Sequence, residues 1–249
     1  MKILAIDSSG LVATAAIWEG DPGKTGRISS SRSTDYKKTH SQTLLPMIDG
    51  ICGETDMKAQ DFDAVAVSAG PGSFTGLRIG SATAKAIAFA AGLPVIEVPT
   101  LEGLSFNLWG RESLICPMMD ARRDQVYTGI YAFEGNALVT IKDQAAISLD
   151  EILACVKEEM SKSGKEVIFL GDGADAYREQ IVSIMDRGYS FAPAHLNRQC
   201  ASSVAVYASL LYADGRVVSA DEHKPVYLRV SQAEREGAKS FDLRNSMSS

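Results

Sequence analysis

"AVAVSAGPGSFTGLRIGSATAKAIAFAAG" (residues 64–92) joins an apolar run, a turn carrying Gly70, Gly72 and Gly76, and a long alanine-rich stretch with helical spacing. Strand, tight glycine turn and helix, in that order, are a building step of an α/β layer. Such a turn can aim backbone N–H groups at an anion, helped by the N-terminus of the helix behind it. The stretch carries no G-K-[ST] and misses the G-x-G-x-x-G fingerprint, so it implies neither a P-loop nor a dinucleotide site. Close packing of the turn accounts for its glycines equally well. The question is whether the segment holds a phosphate or its helix meets another protein.

Outward from this step the chain repeats itself. Upstream, "KILAID" (2–7), "VATAAIWE" (12–19) and "GRISSSRS" (26–33) read as strands, followed by a helix from about His40 to Cys52 that stops at Gly53. Pro46 fits that helix if it begins near Thr43, where the missing N–H falls among first-turn donors that have no partner. A short strand, "PVIEV" (94–98), closes the first pass. The second pass has "SLICPMMD" (113–120), "QVYTGIYAFE" (125–134) and "ALVTIKD" (137–143) as strands. It continues with a helix at 149–162, the strand "EVIFL" (166–170) and a helix at 174–185. A further helical stretch, "SSVAVYASLLYAD" (202–214), follows. Three strands, helix, strand, helix written twice predicts two similar α/β domains with mixed sheets covered by helices. Their expected extents are residues 1–104 and 105–235, joined near "TLEGLSFNLWGRE" (100–112), with 236–249 as a frayed tail. A single irregular α/β domain whose halves match by chance is the alternative.

Composition bounds the function. The chain has 249 residues, 45% hydrophobic and 22% charged, which is the make-up of a globular protein. No segment approaches the roughly 20 apolar residues of a membrane span, and "MKILAID" meets Asp7 too early for a signal peptide, so a cytoplasmic location is expected. Cys52, Cys116, Cys155 and Cys200 are far apart and read as reduced, mostly core thiols. A net charge of −6 argues against nucleic-acid binding by this chain alone, because such affinity rests largely on phosphate neutralisation.

Candidate site residues come from the ends of matched strands. Asp7 closes the first strand ahead of Ser8 and Ser9, and Asp120 closes its counterpart ahead of "ARRD". Two carboxylates so placed could face one Mg²⁺ in a cleft, although an aspartate at a strand end is more often a turn former. Gly70, Gly72 and Ser73 in the first turn, and "GDGA" (171–174) in the second, are the corresponding anion contacts. Ser73 also reads as a helix cap and Ser81 as a surface hydroxyl. His40, His195 and His223 are scattered without H-E-x-x-H spacing, and no G-x-S-x-G elbow is present, so metalloprotease and serine-hydrolase readings fail.

Placed at roughly 100° per residue, the helix of the opening stretch has two apolar sides. Ile79, Ala82, Ala86, Phe89 and Ala90 suit the domain's own sheet, while Gly76, Gly80, Ala84, Ile87, Ala88 and Ala91 form a second side of mostly small residues. A helix that only covers a sheet is polar on its far side. The second side is therefore expected to meet either another protein or the chain's own second domain. Leu44, Met47, Ile48 and Ile51 of the earlier helix extend the same candidate surface.

The stretches "ILAIDSS", "HSQTLLPMI", "AVSAGPGSFTGLRIGSATAKAIA", "MDARRDQVY", "GDGA" and "PVYLRVSQAER" together closely resemble the TsaB (YeaZ) family of tRNA threonylcarbamoyladenosine biosynthesis proteins. The resemblance implies the duplicated actin-like fold of the sugar kinase, Hsp70 and actin superfamily, ribonuclease H-like in each half. It implies a non-catalytic subunit that binds and stabilises the catalytic paralogue TsaD through the two first-domain helices, with the ATPase TsaE completing the complex. It further implies a homodimer when the partner is absent, and contact with tRNA only through the complex. It fixes no cofactor for this chain; ATP or ADP with Mg²⁺ enters only at the subunit interface of the complex. The competing expectation is an ATP-binding phosphotransferase or ATPase using the cleft between the halves, and a glycoprotease activity is disfavoured for want of metal ligands.

Overall fold

In a computed structural model, residues 1–24, 26–36 and 39–229 are described; the expected tail at 236–249 lies outside them. The first half contains β1 (Lys2–Asp7), β2 (Ala13–Glu19), β3 (Arg27–Thr34), α1 (His40–Glu54), β4 (Ala64–Gly70), α2 (Phe74–Ala91) and β5 (Val95–Pro99). A short α3 (Thr100–Ser105) leads to β6 (Leu114–Asp120), β7 (Gln125–Glu134), β8 (Ala137–Ser148), α4 (Leu149–Ser163) and β9 (Val167–Leu170). Then come α5 (Asp172–Ala176), α6 (Arg178–Ile184), β10 (Tyr189–Phe191) and α7 (Ala201–Ala213).

The strands form two five-stranded sheets, β3-β2-β1-β4-β5 and β10-β9-β6-β7-β8. Read from opposite ends they are one topology. In each, the first strand lies between an antiparallel hairpin partner and a parallel strand reached through a helix: Ala5 faces Ala16 and Ala66, and Ile115 faces Tyr131 and Ile168. Both faces of each central strand are covered by a core, which explains why "KILAID" and "LICPMMD" are apolar with little alternation.

Side chains alternate across the first sheet and sort it into two cores. Leu4, Ile6, Ile17, Val65 and Val67 pack under α1 and α2. Ile3, Ala5, Trp18, Ala66 and Val98 face a central core that also holds α3, α7 and the inner side of the second sheet. The outer side of the second sheet is covered by α4, α5 and α6. The result is a layered α/β fold with one helical layer between two sheets.

Three elements depart from the sequence reading. The connection at 100–112 begins as the buried helix α3, with Leu101 and Leu104 in the central core. α7 lies on β1, β2 and β5, so the chain returns to the first half near residue 200 although the second domain was expected to run to 235. Its burial all around, through Ala201, Val204, Ala205, Tyr207, Ala208 and Leu211, is what a helix between two sheets requires. Third, α1 begins at His40 and contains Pro46, whose exposed position leaves the freed carbonyl one turn back in reach of solvent. All four cysteines are free; only Cys116 is fully buried, and burial pushes its thiol up to about 12.

Candidate functional site

A cleft of about 870 Å³ opens between the halves. Its first wall is the turn after β1 (Ser9, Gly10), His40 and the start of α2; its second wall carries Asp120, Arg122 and Asp172. Tyr227 and Arg229, from the segment after α7, close one rim.

Asp7 is not part of the cleft wall. Its Oδ1 accepts from Ser9 N (2.8 Å) and Ser9 Oγ (2.6 Å), and its Oδ2 accepts from Ser68 Oγ (2.7 Å). The carboxylate ties the end of β1 to β4 and is 2% exposed, so it does not take the Mg²⁺-facing role expected of it. Burial raises its pKa, and the hydroxyls of Ser68 and Ser9 pull it back down. Ser8 also turns inward, its Oγ donating to Gly76 O at 2.9 Å. Ser9, Gly72 and Ser73 do line the cleft, whereas Gly70 lies behind it against Val226. Ser73 caps α2, its Oγ accepting from Gly76 N at 3.3 Å.

The second wall is built differently. Asp120 accepts from Arg122 N at 2.7 Å, as a turn-forming aspartate does. Arg122, Arg123 and Asp124 follow with φ of 64°, 58° and 55°, three consecutive side-chain-bearing residues in the left-handed region. Asp172 lines the cleft with a largely buried carboxyl whose Oδ1 has no hydrogen-bond partner in the chain. Burial raises its pKa, against backbone N–H groups of Asp120 and its own residue. Asp172, Arg122 and Arg229 were not singled out one by one from the sequence. The signal was their place in "GDGA", "ARRD" and "PVYLR".

The two helices give the larger correction. Leu44, Met47, Ile48 and Ile51 are buried on the first sheet. Gly76, Gly80, Ala84 and Ala88 are buried there too, and Ile87 and Ala91 are half-buried. The small side of α2 thus faces its own domain, and Ala82, Ala86, Phe89 and Ala90 face outward. The cause is close approach: a Cβ on Gly76 would lie 2.0 Å from Ser8 O, and one on Gly80 2.5 Å from Ser8 Oγ. Only the small side lets α2 sit that near the β1 turn. Ser81, expected at the surface, is buried. Outward, Phe89 is 74% exposed on α2 and Leu45 57% exposed on α1, and the two helices pack side by side.

Comparison with known proteins decides the family. The family model for TsaD, tRNA N6-adenosine threonylcarbamoyltransferase, matches residues 30–236. The tRNA threonylcarbamoyladenosine biosynthesis protein TsaB of Bacillus subtilis is 31% identical over 94% of this chain and 96% of its own. The chain belongs to the TsaB family. The Escherichia coli TsaB is 30% identical over 92% of this chain and 95% of its own. A Pseudomonas aeruginosa crystal structure, described as similar to peptidase YEAZ, superposes with a TM-score of 0.76 at 27% identity, covering 92% of this chain and 99% of that one. The duplicated α/β fold with two mixed sheets covered by helices, expected from the sequence, is the fold of this TsaB-family chain. Among the described residues no helix is long and apolar enough to cross a membrane.

Proposed function

We propose that this chain is a non-catalytic accessory subunit in the cytoplasmic synthesis of tRNA threonylcarbamoyladenosine, holding a TsaD-type catalytic paralogue on the outward faces of α1 and α2. Its near full-length likeness to proteins named for that pathway supports the pathway itself. The observation that carries the docking role is the exposed apolar strip of Leu45, Ala82, Ala86, Phe89 and Ala90 across two helices packed side by side. Burying such a strip is worth roughly 25 cal/mol per Å² of apolar surface, and its small residues let a partner helix come close. A TsaE-type ATPase would join this pair, tRNA would be met through the complex, and in the partner's absence a second copy would occupy the same strip.

The test is co-purification with the TsaD paralogue of the same organism. Ala86→Arg and Phe89→Asp should abolish the complex while the isolated chain keeps its circular dichroism and melting temperature. Retention of the complex by both variants would contradict the proposal. Gly80→Trp is unsuited to this purpose, since its side chain would be driven into Ser8.

A second reading, an ATP-dependent phosphotransferase, is favoured by one arrangement: Asp120 and Asp172 face the N-terminus of α2 across the cleft. Titration calorimetry with Mg-ATP discriminates, because micromolar binding with turnover by the chain alone would support the enzyme. Asp7 weighs against it, with both carboxylate oxygens already engaged by Ser9 and Ser68.

A further inference from the structure

"PVYLR" (225–229) has no part in the docking strip, yet it contacts both walls of the cleft. After α7 the chain runs back along the first half. Val218 and Val95 exchange two backbone hydrogen bonds of 2.9 Å. The ring of His223, 1% exposed, meets Glu97 Oε1 through Nδ1 at 2.7 Å. Lys85 Nζ donates to the carbonyls of Asp221 and His223 at 3.3 and 3.2 Å.

Beyond that anchored stretch, Val226 N donates to Ala69 O at 2.7 Å beside the glycine turn. Gly70, at φ 128°, leaves room for it: a Cβ there would stand 2.1 Å from Val226 O. Tyr227 then lies on Phe74 in the first turn of α2, with ring centroids 5.0 Å apart, and its hydroxyl accepts from Arg78 Nε at 3.4 Å. Two residues on, the Arg229 guanidinium has crossed to the other wall. Its Nη1 donates to Ala121 O and, at 3.5 Å, to Arg122 O. These carbonyls open the left-handed turn Arg122–Asp124. Three consecutive residues in that region each carry a conformational cost, and they persist only where surrounding structure holds them.

We propose that Pro225–Arg229 is a clasp across the cleft: Tyr227 seats it on the start of α2, and Arg229 grips the turn at 121–124, so the segment sets the separation of the two rims. A separate ion-pair link between the halves is made by Arg198, which meets Asp35 (3.6 Å) and Asp175 (2.6 Å).

The experiment is hydrogen–deuterium exchange by mass spectrometry on the full chain, with trypsin cleavage after Arg122 and Arg123 as a second readout. Arg229→Ala should speed exchange of the 121–125 turn by roughly tenfold and tryptic cleavage with it, because local opening there no longer breaks the Arg229 contacts. A clasp makes a further demand that a merely local hydrogen bond does not. Tyr227→Ala, which does not touch the turn, should also loosen 121–125, and Arg229→Ala should loosen residues 73–78. Arg229→Gln, gentler on folding, should reproduce the effect in part. If Arg229→Ala leaves the turn unchanged, or if each substitution loosens only its own side, there is no clasp.

Discussion

The two glycine turns occupy equivalent places in the duplicated fold and have been put to different uses. Both follow the strand parallel to the central one, and both begin with a glycine at a φ that side chains disfavour, 128° at Gly70 and 100° at Gly171. Both are pressed on a neighbouring backbone: a Cβ on Gly171 would lie 2.1 Å from Met118 O, as one on Gly70 would from Val226 O. They part company at the next step. The first turn launches α2, eighteen residues capped by Ser73 and ended at Gly92 (φ 68°). The second launches α5, which breaks at Tyr177 before α6 begins. A long unbroken helix has room for two working sides, one on its sheet and one outward. Two short pieces can only cover a sheet. The same topology occurs twice, and the exposed apolar strip proposed as a partner surface lies on the helices of the first half.

The largest expected effect separates turn from surface. Gly76→Trp should prevent folding, because even a methyl group there meets Ser8 O and overpacking costs rise steeply with size. Soluble, native-like Gly76→Trp protein in circular dichroism would break the packing account. Next, Leu45→Asp with Phe89→Asp should leave urea stability within about 0.5 kcal/mol of the parent while weakening the TsaD paralogue's binding about 100-fold or more. Substitutions on the exposed side of α6, such as Val182→Asp, should leave that affinity unchanged. Equal losses from both halves would dissolve the contrast.

Asp7→Ala should lower stability by about 2–4 kcal/mol, since it strands the buried hydroxyl of Ser68 and the N–H of Ser9 together. Urea unfolding measures it, and a negligible change would mean that the β1 turn does not depend on this carboxylate. The smallest effect concerns pH. Burial raises Asp172, so the folded chain keeps a proton that the unfolded chain releases above about pH 3.9. Stability from this group falls as pH climbs through the raised folded value and is level beyond it. Asp172→Asn should make the pH dependence of stability shallower in that window and raise stability at pH 7, as read by urea unfolding across pH. A steeper dependence would reverse the assignment.

Much of the scaffold was legible in the sequence because alternation and apolar runs report directly which strands are half-covered and which are central. β1, β2, β6 and β7 were read to within a residue or two. β8 continues to Ser148 beyond its most regular part, and the three-residue β10 is too short to give a period. The destination of α7 could not be read, since a helix apolar all round does not say which layers enclose it. The side of α2 was misread for a related reason. Helical spacing distinguishes two apolar sides but not which is inside, and size had to decide: the alanine and glycine side goes where backbones nearly touch, and Phe89 where there is space. In the cleft, Ser9, Gly72 and Ser73 follow from strand ends. Asp7 was misplaced because a terminal aspartate looks the same whether it faces the cleft or bonds the serine two residues on.

The orientation of α2 is the claim on which the partner surface depends, and Ala84 and Ala86 test it most directly, two residues apart on opposite sides of one helix. Each is replaced by Trp, and thermal stability and binding to the TsaD paralogue are measured for both. The account predicts that Ala84→Trp fails to fold, while Ala86→Trp melts with the parent and no longer binds. An Ala86→Trp protein that folds and binds as the parent does would contradict it.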